Sequence, residues 1–167
     1  ETVINTIMEN HPSIKMFKHE DCPGHNKLSR LLRYRDNHLN RKYSVFVGNG
    51  GLYVPQELER GADGIMTGFA FTEMLVSLHN LFSNNDKDKA EDLFDIYLPL
   101  IRHEQQFGIG LGLRKFVLQQ RGIIKSSNVR SPGPVLTEDD IEEMNHLLKR
   151  LKSKLIEKGL PIPKGIN

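Results

Sequence analysis

The densest group of chemically capable residues lies between Lys15 and Gly24, in "KMFKHEDCPG". An apolar run, "SIKMF", meets Lys18 and then His19, Glu20, Asp21 and Cys22, before Pro23-Gly24 ends it. If the run is a strand, Ile14, Met16 and Lys18 share one face. A lysine facing an apolar interior is costly to charge, which frees its amine as a nucleophile able to form a Schiff base with a ketone. Strand-end lysines more often snorkel to water, and the pattern alone leaves both options open. A metal site fits poorly, because adjacent strand residues point to opposite faces and no H-x-x-x-H or C-x-x-C spacing is present. His19 and Asp21 are therefore expected in a solvated loop, with Glu20 paired to Lys18 or to an arginine. Two glycine-bearing stretches follow apolar runs in the same way: "GNGG" (Gly48 to Gly51) after "VFV", and "TGF" (Thr67 to Phe69) after "GIM". Glycines there let backbone approach a ligand closely, or simply turn the chain. "GIGLG" (Gly108 to Gly112) has the look of a dinucleotide loop, but a helix precedes it where a strand is required.

These stretches need elements to hold them. "TVINTIMENH" has Val3, Ile4, Ile7 and Met8 at helical spacing, stopped by Pro12. Strands are expected in "PSIKMFK", "KYSVFVGNGG" and "DGIMTGFA". Helices are expected in "GHNKLSRLLRYRDNH", in "YVPQELERGA" up to Gly61, and in "TEMLVSLHNLFSNND" with Thr72 as cap. Three more close the chain. The first, "KDKAEDLFDIYLPLIRHEQQFG", is kinked or split by Pro99; the second ends at Gly122; the last is capped by Thr137. Strands alternating with helices predict parallel pairing. Three parallel strands make a poor sheet alone, since each needs cover on both faces. The expectation is an α/β chain forming the C-terminal portion of a (β/α)8 TIM barrel (strands 6 to 8), followed by a three-helix C-terminal extension. The barrel part is assigned to residues 1–82 and the extension to 83–167. A whole barrel takes roughly 250 residues, so its first half is expected upstream of Glu1. In such barrels the C-terminal strand ends, where Lys18 stands, carry the active site.

Bulk composition excludes several classes. With 23 Lys and Arg against 21 Asp and Glu, the formal charge is +2, too balanced for a nucleic-acid or membrane surface. One cysteine forms no intrachain disulfide framework. No apolar run approaches the ~20 residues of a bilayer span. No signal-peptide pattern opens the sequence, and a cytoplasmic protein is the expectation.

The motifs, taken in order, resemble the C-terminal half of the dihydrodipicolinate synthase/N-acetylneuraminate lyase family. "IKMFKHE" is similar to the family's sixth strand, ending in the Schiff-base lysine. "VFVGNGG" is similar to the seventh. "ELERGADGIMTG" resembles the approach to the eighth, and "GLRKFVLQQRGI" with "VRSPGPVLTEDDIEEM" resembles the C-terminal signature. The resemblance implies that Lys18 forms an imine with a 2-oxo acid. It implies that Gly48 and Asn49 surround the substrate, that the Met66 carbonyl contacts it, and that Thr67 and Gly68 line the same rim. It implies a small-molecule 2-oxo acid substrate, no metal or organic cofactor, and a homodimer or homotetramer. Leu52, Tyr53 and Phe71 are apolar residues near loops that could serve such an assembly. Sialic acid lyases carry an Asp-Glu pair after the seventh strand, where Gly51 and Leu52 stand here; this argues against a sialic acid substrate. The implied reactions are condensation as in dihydrodipicolinate synthase, or dehydration or cleavage of a 2-keto-3-deoxy sugar acid. A non-catalytic barrel relative with a binding or regulatory role is the alternative of another class.

Overall fold

The structure, a computed structural model, describes residues 2–39, 41 and 43–166. Its order is α1 (Thr2–Asn10), β1 (Met16–His19), α2 (His25–His38), β2 (Ser44–Val47), α3 (Val54–Glu59), β3 (Gly64–Ile65), α4 (Thr72–Ser83), α5 (Lys87–Glu104), α6 (Gly110–Gln120) and α7 (Glu138–Glu157). A 3-10 turn over Asn49–Gly51 follows β2. The expected alternation and the closing trio of helices are both present.

β1, β2 and β3 form one parallel sheet in that order. Lys18 is opposite Phe46, and Phe46 is opposite Gly64; His19 is opposite Val47, and Val47 is opposite Ile65. Residues level with one another in neighbouring strands point the same way, so the two rows face opposite sides. The side bearing Val45 and Val47 is fully buried and packs with Leu28 and Leu32 of α2, Met8 of α1, and Ala62. Helical spacing on α2 brings Leu28, Leu31 and Leu32 to that one face. The other side, bearing Met16, Lys18 and Phe46, is not covered in the same way: Met16 is 39% exposed. The sheet is thus roofed by helices on one side and open on the side that carries Lys18.

A second, larger core joins Val54, Phe69, Phe71 and α4 to the inner faces of α5, α6 and α7. α5 runs unbroken past Pro99 to Glu104. Thr137 caps α7 as expected, in a capping box: its hydroxyl accepts from the Asp140 N–H at 3.2 Å, and Asp140 accepts from the Thr137 N–H at 2.7 Å. Thr72 does not cap α4. It is the helix's first residue, Phe71 precedes it as N-cap, and no side chain caps that end. Phe71 is also not available to a partner: it is fully buried, with the Arg121 guanidinium 4.5 Å from its ring centre.

Two arginines fasten the layers. Arg35 of α2 donates to the Tyr43 carbonyl at 3.1 Å and pairs with Asp63, whose Oδ2 also accepts from the Val45 N–H at 2.8 Å. The aspartate of "GADG" therefore ties α2, β2 and the approach to β3 together. Arg121, at the end of α6, donates to the Ala70 carbonyl and, at 3.2 Å, to the Lys164 carbonyl, and pairs with Glu73. It joins the segment after β3 to the C-terminal tail. No helix among the described residues is long and apolar enough to cross a membrane.

Candidate functional site

Lys18 is the third residue of the four-residue β1, at its C-terminal end and on the open side of the sheet. Its side chain is 38% exposed, and its Nζ lies 3.0 Å from Glu20 Oε1. The strand's alternation sends Lys18 to the open side and the next residue to the helical side. That places His19 differently from the sequence expectation. It is the last strand residue, only 1% exposed, with Nε2 3.0 Å from the Gly24 carbonyl oxygen. The reason is periodicity: the strand continues one residue past Lys18, and its inward position is filled by the imidazole. Asp21, two residues further, is half exposed and paired to Lys27, whose ammonium holds its carboxyl below the usual carboxylate range.

The glycine-bearing strand ends lie beside Lys18 as the alternating topology requires. Gly48 follows β2, and its N–H donates to the His19 carbonyl at 3.2 Å. Asn49 Nδ2 donates to the Asp21 carbonyl at 3.2 Å, binding the turn after β2 to the loop after β1. Met66 continues β3 by one hydrogen bond, its N–H donating to the Val47 carbonyl at 2.7 Å, and its side chain is 36% exposed. Thr67 and Gly68 turn away from the ladder there. The Thr67 hydroxyl oxygen is buried without a hydrogen-bond partner. Lys18, Gly48, Asn49, Met66, Thr67 and Gly68 are thus gathered at one end of one sheet.

The chain's own polar side chains lie against these glycines. The Glu20 carboxylate fills the space a Cβ on Gly48 would need. The Gln105 amide does so at Gly50, which also sits at φ +62°, and the Arg114 guanidinium does so at Gly68. Each strand end therefore carries a polar group laid against bare backbone.

Sequence reasoning missed the groups that complete this rim. Arg114 of α6 is held by Glu104 of α5, Nε to Oε2 at 3.2 Å, and the Glu104 side chain is wholly buried. Burial raises the Glu104 carboxyl to about 7, against the opposing pull of Arg114 and the Ala70 backbone. Nothing in the sequence relates Glu104 to Arg114 except that ten residues of helix-turn-helix separate them. Glu57 had a signal: it falls at i+3 from Val54 in α3, on the helix face that is buried. It is 1% exposed, Oε2 has no hydrogen-bond partner, and burial alone raises its carboxyl to about 7. It borders a cleft of about 620 Å³ with Cys22, His25, Lys27, Asn49 and Tyr53. A larger cavity, about 770 Å³, lies between α4, α5 and the C-terminal tail, and none of its lining residues belongs to the rim. Among the described residues, no group of three or more His, Cys, Asp or Glu could hold a metal ion.

The arrangement offers an amine with an adjacent carboxylate, a backbone-lined strand end, and a guanidinium above it. Comparison with known proteins gives it a setting. No protein-family profile matches the chain. The L-2-keto-3-deoxyarabonate dehydratase of Azospirillum brasilense is 28% identical over 138 residues, which are 83% of this chain and 43% of that protein. The crystal structure of dihydrodipicolinate synthase from Rhodopseudomonas palustris matches with a TM-score of 0.78 and 47% identity, over 81% of this chain and 45% of that one. The 4-hydroxy-tetrahydrodipicolinate synthase of Methylacidiphilum fumariolicum SolV has the same fold, with a TM-score of 0.78 at 20% identity, over 93% of this chain and 50% of that one. The chain spans about half the length of the relatives it matches. Its α/β fold is the C-terminal portion of a (β/α)8 barrel, strands six to eight, with three helices after it. Those strands, the terminal helices and the ordered motifs agree in making the chain similar to part of the dihydrodipicolinate synthases it matches.

Proposed function

We propose that the protein is a Schiff-base-forming lyase acting on pyruvate or a related 2-oxo acid, with Lys18 as its nucleophile. The observation that carries this is the placement of Lys18. It is a partly exposed amine at the C-terminal end of a parallel strand, on the side of the sheet away from the helices, 3.0 Å from a carboxylate. The amine attacks C2 of the oxo acid, and loss of water leaves a protonated imine. C3 then gives up a proton and the electron pair moves to nitrogen. The resulting enamine attacks an aldehyde carbon, forming a C–C bond, or expels hydroxide from C4, completing a dehydration. Hydrolysis of the imine returns the amine. Glu20 is placed to take and return the amine's proton. Gly48 and Asn49 border the oxo acid, the Met66 carbonyl contacts it, and Thr67 and Gly68 close the rim.

Two reactions share this intermediate, and the relatives supply one each: a synthase at 47% identity and a keto-deoxy sugar acid dehydratase at 28%. The higher identity favours condensation of the dihydrodipicolinate synthase type. Assay of the full-length protein with aspartate semialdehyde and pyruvate, against 2-keto-3-deoxy sugar acids, separates the two. The test of the shared step is pyruvate with borohydride. Mass spectrometry is expected to find the reduced adduct on Lys18 and none in Lys18→Ala. An active full-length protein without that adduct would falsify the proposal; an inactive one without it points to a binding or regulatory barrel. The proposal includes a homodimer or homotetramer, read by light scattering.

A further inference from the structure

We propose that His19 is a positioning residue for the Lys18–Glu20 pair: its imidazole locks the loop after β1 so that the Glu20 carboxylate stays against the Lys18 amine. The inference rests on the Schiff-base reading for what Lys18 and Glu20 do, and on the geometry of His19 for the lock. His19 faces the helical side of the sheet, buried, level with Val47 of β2. An aliphatic residue like that valine would fill the same inward position at no polar cost. The imidazole leaves Nδ1 buried without a hydrogen-bond partner. What it gains is at Nε2, 3.0 Å from the Gly24 carbonyl oxygen. A carbonyl only accepts, so Nε2 carries the proton and donates. The same oxygen accepts the Leu28 N–H at 2.9 Å, the first bond of α2. His19 thus ties the start of α2 to the end of β1. Gly24 leaves room for this, since a Cβ there would come within 2.7 Å of Nε2.

The bond closes the chain from His19 to Gly24 into a ring, and Glu20 is the first residue inside it. Two hydrogen bonds hold the ring from the β2 side. The His19 carbonyl accepts from the Gly48 N–H at 3.2 Å, and the Asp21 carbonyl accepts from Asn49 Nδ2 at 3.2 Å. The backbone around Glu20 is therefore fixed at positions 19, 21 and 24. That frame matters because the Glu20 side chain is 48% exposed, so packing does not hold it, yet its Oε1 lies 3.0 Å from Lys18 Nζ. Proton transfer needs that distance kept, and a displacement of about 1 Å costs a catalytic step on the order of 100-fold. The strand's alternation makes the arrangement economical: Lys18 reaches the open side while the next residue, facing the other way, secures the loop that carries its carboxylate.

The experiment follows the rate at which pyruvate and borohydride label Lys18 in the full-length protein, by mass spectrometry, from pH 6 to 9. His19→Leu removes the donor and keeps an apolar filling; His19→Gln keeps an N–H donor for the Gly24 carbonyl. In both, Leu28 still bonds that carbonyl, so α2 keeps its first turn. His19→Leu is expected to slow labelling about 10- to 100-fold near neutral pH, with half-saturation by pyruvate unchanged, and His19→Gln to keep most of the rate. The deficit should shrink as pH rises, because solvent then takes the amine's proton without Glu20. Glu20→Gln should show the same deficit, and His19→Leu combined with Glu20→Gln should be no slower than Glu20→Gln alone. A wild-type rate in His19→Leu overturns the proposal. So does a deficit that multiplies with that of Glu20→Gln or is independent of pH, the result of a merely structural role. If wild type traps nothing on Lys18, the Schiff-base reading fails, and hydrogen exchange at residues 20–24 tests the lock itself. Faster exchange in His19→Leu than in His19→Gln upholds the lock, and equal exchange overturns it.

Discussion

Replacing Glu57 with glutamine should change how stability depends on pH. Glu57 is 1% exposed on the buried face of α3, its Oε2 has no partner, and burial is the sole cause that lifts its carboxyl from 4.5 to about 7. The sign follows from linkage. Between those two values the folded state holds a proton that the unfolded chain has released. The stability tied to Glu57 is therefore complete below pH 4.5 and is lost as pH rises through about 7. A rise of 2.5, from 4.5 to about 7, at 1.36 kcal/mol per unit, corresponds to roughly 3 kcal/mol. Glutamine keeps the shape and removes the charge, so Glu57→Gln escapes this loss. Near pH 5 the variant should sit within about 1 kcal/mol of wild type, the cost of one imperfectly bonded amide. By pH 9 it should be the more stable protein by about 2 to 3 kcal/mol. Urea unfolding of the full-length protein at pH 5, 7 and 9 measures this. Glu104 rises to about 7 as well, but it is present in both proteins and cancels in the comparison. Parallel stability–pH curves for wild type and Glu57→Gln would refute the reasoning, because they would mean that Glu57 is solvated or paired in the folded state.

Arg121→Met should lower stability by about 3 kcal/mol or more, because it strands the Ala70 and Lys164 carbonyls and releases Glu73; the shift in urea midpoint reads it, and a loss under about 1 kcal/mol would contradict the clasp. Residues 1–167 produced alone should bind a hydrophobic dye and unfold without a cooperative transition, since the Lys18 side of the sheet and the outer edges of β1 and β3 are uncovered; a sharp cooperative transition would refute that.

Some residues declared their surroundings in the sequence and others did not. Lys18 was legible because it follows a short apolar run at a strand end and two glycine-bearing strand ends come after it. His19 was misplaced because its neighbours are charged. In a strand, side-chain direction follows position and not the polarity of the neighbourhood, and position 19 still points inward. Thr72 has the residue type of a cap, but the chain enters α4 through the buried Phe71, whose packing sets the entry angle and leaves Thr72 inside the first turn. Thr137 caps α7, and Asp140 returns its hydrogen bond.

The sequence by itself determined the order of elements, the parallel sheet and the lysine near the C-terminal end of β1, because hydrophobic period, turn residues and caps act over a few residues at a time. The tertiary structure alone decided what surrounds that lysine. It set Glu20 against Gly48, Gln105 against Gly50 and Arg114 against Gly68, and it buried Glu57 and Glu104 without full hydrogen bonding. Those pairings join residues up to 55 positions apart, Gly50 and Gln105 being the widest, and they depend on how α5 and α6 close over the strand ends. No local pattern encodes such a closure, because packing of distant apolar faces fixes it and the polar groups are carried along.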